Sequence, residues 1–204
     1  MLKSVYRVDF DYNGETHSGT LERRAQDETE LTQYLLTRVS LNIPNGTILM
    51  IPDKDLELQP WLVFWLESIK ASGYNRYIVL KMTHYITWVD RDKNTCESWC
   101  YLHGSGDSAL KDTLKTVGAV YSEDDNSRFV IMPVNEHIRK EDYLEVGEGR
   151  LKEGYRVTGY DIQSTPGVEY VTLNPMYIKD KTPAPEQKPE DNDEDFYWLN
   201  GGNS

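Results

Sequence analysis

Asn13-Gly14 stands between two runs, residues 5–12 and 15–21, in which apolar and polar side chains alternate. A two-residue turn of this kind needs positive φ at both positions, which Asn and Gly tolerate, so the segment predicts an antiparallel hairpin. The same pattern recurs along the chain. Residues 48–51 form a short apolar run before Pro52, and residues 61–68 and 77–88 follow with β character. The turn Asp90-Arg91-Asp92-Lys93-Asn94 joins 77–88 to 96–103 as a second hairpin. Further strands are expected at 128–132, 155–160 and 168–173, the last two linked through Ser164-Thr165-Pro166-Gly167. Short strands between turn signals predict a mainly β chain, a small β-barrel or sandwich of short antiparallel strands.

Three segments depart from this rhythm. Asp27 and Glu30 have the spacing of a helix cap, and Leu31, Tyr34, Leu35 and Val39 recur at helical intervals, so one amphipathic helix is expected over 28–39. Residues 104–127 contain Gly104 and Gly106, a short expected helix over 108–116, and the acidic run Glu123-Asp124-Asp125. A loop this long inside a compact body is usually functional or disordered. After residue 180 the composition changes to prolines among charged residues, ending in Phe196-Tyr197-Trp198-Leu199. The expected organisation is therefore a β-rich body over 1–180 and an acidic tail over 181–204, a composition that cannot bury enough apolar area to fold alone. Four large apolar residues on such an arm suit docking into a neighbouring subunit or partner, the alternative being a tail that folds back on its own body.

Composition narrows the function. With 34 Asp and Glu against 22 Lys and Arg, the net charge of -12 repels phosphate, which excludes tight wrapping of DNA but permits DNA to slide past. The 14 tyrosines suit a subunit with extensive surface contacts. No run approaches the roughly 18 to 20 apolar residues that span a bilayer, so no membrane partner is expected. The first residues lack the apolar core of a secretory signal, and maturation in the cytoplasm is expected. Cys96 and Cys100, four apart on one expected strand, have Cα atoms about 13 Å apart and cannot bridge each other.

Several constellations have the outline of chemistry. Gly104-Ser105-Gly106-Asp107-Ser108-Ala109 fits the dinucleotide pattern G-x-G-x-x-A. It follows a hairpin strand, however, and not the buried parallel strand of a βαβ unit, so a loop is the better reading. Asp90 to Asn94 opens like a calcium loop, but Thr95 stands where glycine is needed and Tyr101 where a bidentate glutamate is needed. His84, Cys96, Cys100 and His103 have zinc-ligand chemistry, but a flat strand holds the two cysteines apart. His17, His84, His103 and His137 stand in no nucleophile-base-acid order. No catalytic residue, metal or cofactor is assigned, and no enzymatic activity is expected.

The order Tyr77-Ile78-Val79-Leu80-Lys81-Met82 to Trp88-Val89-Asp90, a polar turn, and Trp99-Cys100-Tyr101 resembles head-closure (stopper) or minor structural proteins of the neck of siphophages infecting Gram-positive bacteria. The resemblance continues through Phe129-Val130-Ile131-Met132-Pro133, Tyr155 to Asp161, and Thr165-Pro166-Gly167-Val168-Glu169-Tyr170-Val171-Thr172-Leu173. It covers about half of the chain and implies a virion structural protein of the head-tail connector. Such a protein forms a homo-oligomeric ring that joins the portal or adaptor to the tail proteins and retains or passes DNA through its lumen. Mapped onto this sequence, the loop facing the channel or a neighbour would carry Gly104, Gly106, Asp107, Glu123, Asp124 and Asp125, and Phe196, Tyr197, Trp198 and Leu199 would dock on an adjacent protein. The segment 28–39 and the tail are not part of the family pattern, so adaptor and tail-completion roles stay open. A soluble binding module and a nucleotide-binding enzyme using the Gly104 loop are the alternatives from other classes.

Overall fold

The computed structural model describes residues 5–24, 31–53, 56–70, 73–90, 92–103, 128–134, 137–147 and 153–176. Among them the regular structure is all β. The first hairpin forms as expected, with β1 (Val5–Tyr12) and β2 (Glu15–Arg23) in register from Val5 opposite Glu22 to Tyr12 opposite Glu15. Asn13 and Gly14 take φ of 53° and 79°, the positive values that a tight primed turn demands.

β3 (Thr32–Arg38) corrects the expected helix over 28–39: of that span, residues 31–39 are described, and their core is a strand. It pairs with β2 on one side and with β6 (Tyr74–Lys81) on the other. The helical spacing misled because both faces of this strand are covered. Gln33, Leu35 and Thr37 are buried on one face, so polar side chains occupy inward positions, while Tyr34 on the opposite face packs against a second core. Two-sided burial erases the period-two signal.

β4 (Ile48–Pro52) and β5 (Leu58–Lys70) complete a six-stranded antiparallel sheet in the order β1-β2-β3-β6-β5-β4. The expected strand over 77–88 is two strands. β6 ends at Lys81, and β7 (His84–Val89) begins in a different sheet. At the junction the Met82 N–H donates to the Pro60 carbonyl at 2.9 Å and the Thr83 N–H to the Cys100 carbonyl at 3.1 Å, so the chain changes sheets without a loop. Then β8 (Thr95–His103), β9 (Arg128–Pro133), β10 (Tyr143–Val146), β11 (Glu153–Asp161) and β12 (Val168–Pro175) close with β7 into a barrel, in the order β10-β11-β12-β9-β8-β7. β10, which pairs β7 with β11, has no counterpart in the strands read from sequence.

Strand alternation sorts the apolar residues into three cores. Val8, Phe10, Leu35, Leu49, Ile51, Val63, Tyr77 and Val79 fill the concave side of the open sheet, where β1 and β4 approach each other. Ile86, Trp88, Cys100, Val130, Leu144, Val157 and Val171 fill the barrel. The alternate residues of the same strands, Leu62, Phe64, Ile78 and Leu80 from the sheet and Tyr101, Phe129, Ile131 and Tyr170 from the barrel wall, form a core between the two bodies. Phe64 meets Tyr170 edge to face with ring centroids 6.3 Å apart. Beside this core the main chains touch. Gly46 (φ 85°) and Gly167 (φ 87°) approach so closely that a Cβ on Gly46 would collide with the Gly167 carbonyl, and one on Gly167 with the Asn45 carbonyl.

Candidate functional site

Of the constellations suggested by the sequence, the Asp90 turn, the His84/Cys96/Cys100/His103 set and the four histidines fall on described residues. The Asp90 turn is self-contained. Its carboxylate, 4% exposed, accepts the Asn94 N–H at 2.8 Å and the Asn94 side-chain amide at 3.1 Å, with His137 Nδ1 at 3.8 Å and Cys96 Sγ at 3.9 Å. The donors of Asn94, ahead of the nearby His137, hold Asp90 below the usual carboxylate range. The carboxylate thus closes the turn between β7 and β8.

Of the four residues with zinc-ligand chemistry, only His84 and Cys100 are direct cross-strand partners, and the set does not converge. Cys100 points into the barrel opposite His84, and Cys96 lies opposite Trp88. His103 stands on the other face of β8, its ring 4.4 Å from that of Phe129. Burial pushes the Cys100 thiol up to about 12, so it stays protonated and acts as a small core residue. Both cysteines are free thiols. Among the described residues no group of three His, Cys, Asp or Glu side chains could hold a metal ion. His17 lies between the rings of Phe10 and Tyr12, each 6.2 Å away, far in the fold from His84, His103 and His137. The loop residues Gly104, Gly106, Asp107, Glu123, Asp124 and Asp125, the expected helix over 108–116, and Phe196, Tyr197, Trp198 and Leu199 all lie outside the described residues.

Three features that sequence reading missed define the surface. A recess of about 340 Å³ is lined by Arg7, Thr16, His17, Ser18, Arg38 and Ser40. Two of its three hydroxyl protons are committed: Thr16 donates to Asp11 at 2.7 Å and Ser18 to Asp9 at 2.6 Å, while Arg7 donates to Ser18 at 3.2 Å. Arg7, His17 and Arg38 on the lining, with Asp9 and Asp11 behind the two hydroxyls, make this a mixed-charge surface.

At the rim of the inter-sheet core, Tyr34 lies between two guanidinium groups, Arg76 at 4.6 Å and Arg24 at 5.4 Å from its ring. Its hydroxyl donates to Glu67 at 3.3 Å, and Glu67 also pairs with Arg76. Adjacent strands bring these residues together: Tyr34 on β3 is opposite Ile78 on β6, two positions from Arg76. This cluster seals one side of the core with charge and aromatic faces.

The third feature is apolar. In the hairpin of β4 and β5, Met50, Leu56 and Leu58 are exposed, although Ile48 and Leu62 of the same face pack into the inter-sheet core. Exposed large apolar side chains grouped beside a core mark a contact surface more often than scattered ones do.

No family model matches the chain, and no curated protein matches it. One solved structure, "MrkH, A novel c-di-GMP dependence transcription regulatory factor", is similar over 85% of this chain and 79% of that one, with 9% sequence identity and a TM-score of 0.27. A superposition that loose carries no argument about either fold or ligand.

Proposed function

We propose that the chain is a structural subunit of the head-tail connector of a tailed bacteriophage, in the head-closure position of the neck. In this reading copies of the chain form a homo-oligomeric ring between the portal or adaptor and the tail proteins, and DNA passes its lumen without tight binding. The observation that carries the reading is where the family-like segments fall. Residues 77–102 and 128–173 supply strands of the closed barrel, from β7 to β9 and β11 to β12, together with β6, which faces it. The net charge of -12 fits a lumen that does not hold phosphate. The exposed hairpin of Met50, Leu56 and Leu58 fits a subunit whose surface is completed by other polypeptides. In the assembled ring Phe196 to Leu199 would anchor on the adjacent protein, and symmetry would repeat that contact at every subunit.

The test is the mass of the purified chain, alone and mixed with a portal complex, followed by negative-stain imaging. Closed rings in either condition are expected. A chain that stays monomeric in both would overturn the reading.

A further inference from the structure

The hairpin of β4 and β5 carries an exposed apolar face whose seat is prepared from inside. Met50 is opposite Pro60 and Pro52 opposite Leu58, so with Ile48 and Leu62 they lie on one face of the sheet. The inner part of that face is buried in the core between sheet and barrel. The outer part is open, with Met50 38%, Leu58 61% and Leu56 83% exposed. Leu56 adds a second, independent sign. Its φ is 64°, a left-handed conformation that costs a residue with a Cβ about 1 kcal/mol and that glycine or asparagine would take more easily. The turn does not need a leucine to close, since the Asp53 carboxylate accepts the Glu57 N–H at 3.0 Å and the Asp53 carbonyl accepts the Leu56 N–H at 3.1 Å. A large apolar side chain held outward at a strained position is accounted for by something that covers it.

We infer that in the isolated subunit this face is covered by the chain's own C-terminal aromatic segment, Phe196-Tyr197-Trp198-Leu199. The place where the chain leaves the barrel supports that occupant. The Met176 N–H, just after β12, donates to the Gly154 carbonyl at 2.9 Å. Glu153, next to Gly154, is opposite Val146, and Val146 is opposite Ile86, two residues from His84. His84 begins the strand that follows Met82, whose N–H is bound to the Pro60 carbonyl, and Pro60 is two residues from Leu58. The root of the tail is therefore joined to the open face through the β11–β10–β7 side of the barrel and the Met82–Pro60 contact.

The 19 residues 177–195 connect Met176 to the aromatic segment. A flexible chain of that length has a root-mean-square span of about 25 Å, and the effective concentration it creates is on the order of millimolar. A segment whose untethered affinity is only about 0.1 mM would then be docked roughly 90% of the time. A second copy at micromolar concentration competes poorly with that. The contact is apolar, and the five carboxylates within residues 190–195 remain in the solvated spacer, so added salt leaves it in place. The inference does not depend on ring formation, and a subunit that never assembles would still show it. If rings do form, moving the segment to a neighbour would uncover the hairpin at the same moment.

The experiment uses the full-length chain with ¹³C-labelled methionine methyl groups, compared with its Phe196→Ser/Trp198→Ser variant. The Met50 methyl resonance should be shifted upfield by aromatic ring currents in the wild type, return toward its solvent position in the variant, and stay unchanged on dilution and in high salt. Conversely, Leu56→Ser/Leu58→Ser should raise exchange of the Trp198 indole N–H with solvent about tenfold, the loss expected when a largely docked segment is released. All four substitutions fall on exposed or tail positions, so both variants should keep the wild-type circular dichroism. An identical Met50 resonance in wild type and variant would overturn the inference. A shift that vanishes on dilution would also overturn it, in favour of a second copy as the occupant.

Discussion

Asp90 shows how one carboxylate can stabilise a turn and at the same time imitate a metal site in the sequence. Its neighbours Asp92 and Asn94 give the outline of a calcium loop, but the folded carboxylate is already occupied by two donors from Asn94. Because these donors lower its pKa in the folded state, the stability it contributes is fully present above the ordinary carboxylate range and is lost as pH falls through the depressed value. Asp90→Asn should therefore lower stability at neutral pH, and the curves of variant and wild type should converge in acid, as read by urea denaturation across a pH series. A constant offset at all pH values would show that the charge is irrelevant. Asp161 is held the same way. Burial works against its ionisation, but donors from Ser164 and Gln163 outweigh that and hold it low. Nothing in the residue types distinguishes these inward-turned acids from the many solvated ones, so neither role could be read from sequence.

At the scale of elements, turn chemistry was the most legible signal and burial on two faces the least. Asn13-Gly14, Asp90 to Asn94 and Ser164 to Gly167 mark turns where turns are found, and the strands beside them fall close to the expected limits. β3 was hidden because Gln33 and Thr37 face inward while Tyr34 packs outward on a second core. The break at Met82 was hidden because no glycine or proline marks the step from one sheet into the next. β10, four residues long, has too few positions to show a period. The exposed hairpin was equally hidden, since Met50, Leu56 and Leu58 look like core residues until the fold shows that nothing covers them among the described residues. Gly167 was expected only as a turn residue, and its close approach to Gly46 is a tertiary fact. Gly46→Ala and Gly167→Ala should each cost about 1–3 kcal/mol, because each combines a positive φ with a main-chain collision. Gly14→Ala has open space around it, so it suffers only the conformational part and should cost less. Chemical denaturation of the three variants measures this ranking.

At the scale of the whole molecule, sheet and barrel are coupled through one shared layer of side chains. Phe64→Ala should cost about 3–5 kcal/mol, since it empties a site 1% exposed and removes the edge-to-face contact with Tyr170. If the layer makes the two bodies one cooperative unit, barrel and sheet should still unfold together in this variant, with coincident transitions from tryptophans of both bodies, Trp61 in the sheet and Trp88 in the barrel. Separated transitions would show two units that merely adhere. The main-chain contact between Gly46 and Gly167 bears on how such a body carries load. Side chains can hop between rotamers and absorb a displacement, whereas two peptide groups in direct touch have no such slack. A push on the β4 end of the sheet therefore reaches the β12 end of the barrel through main chain as well as through side chains.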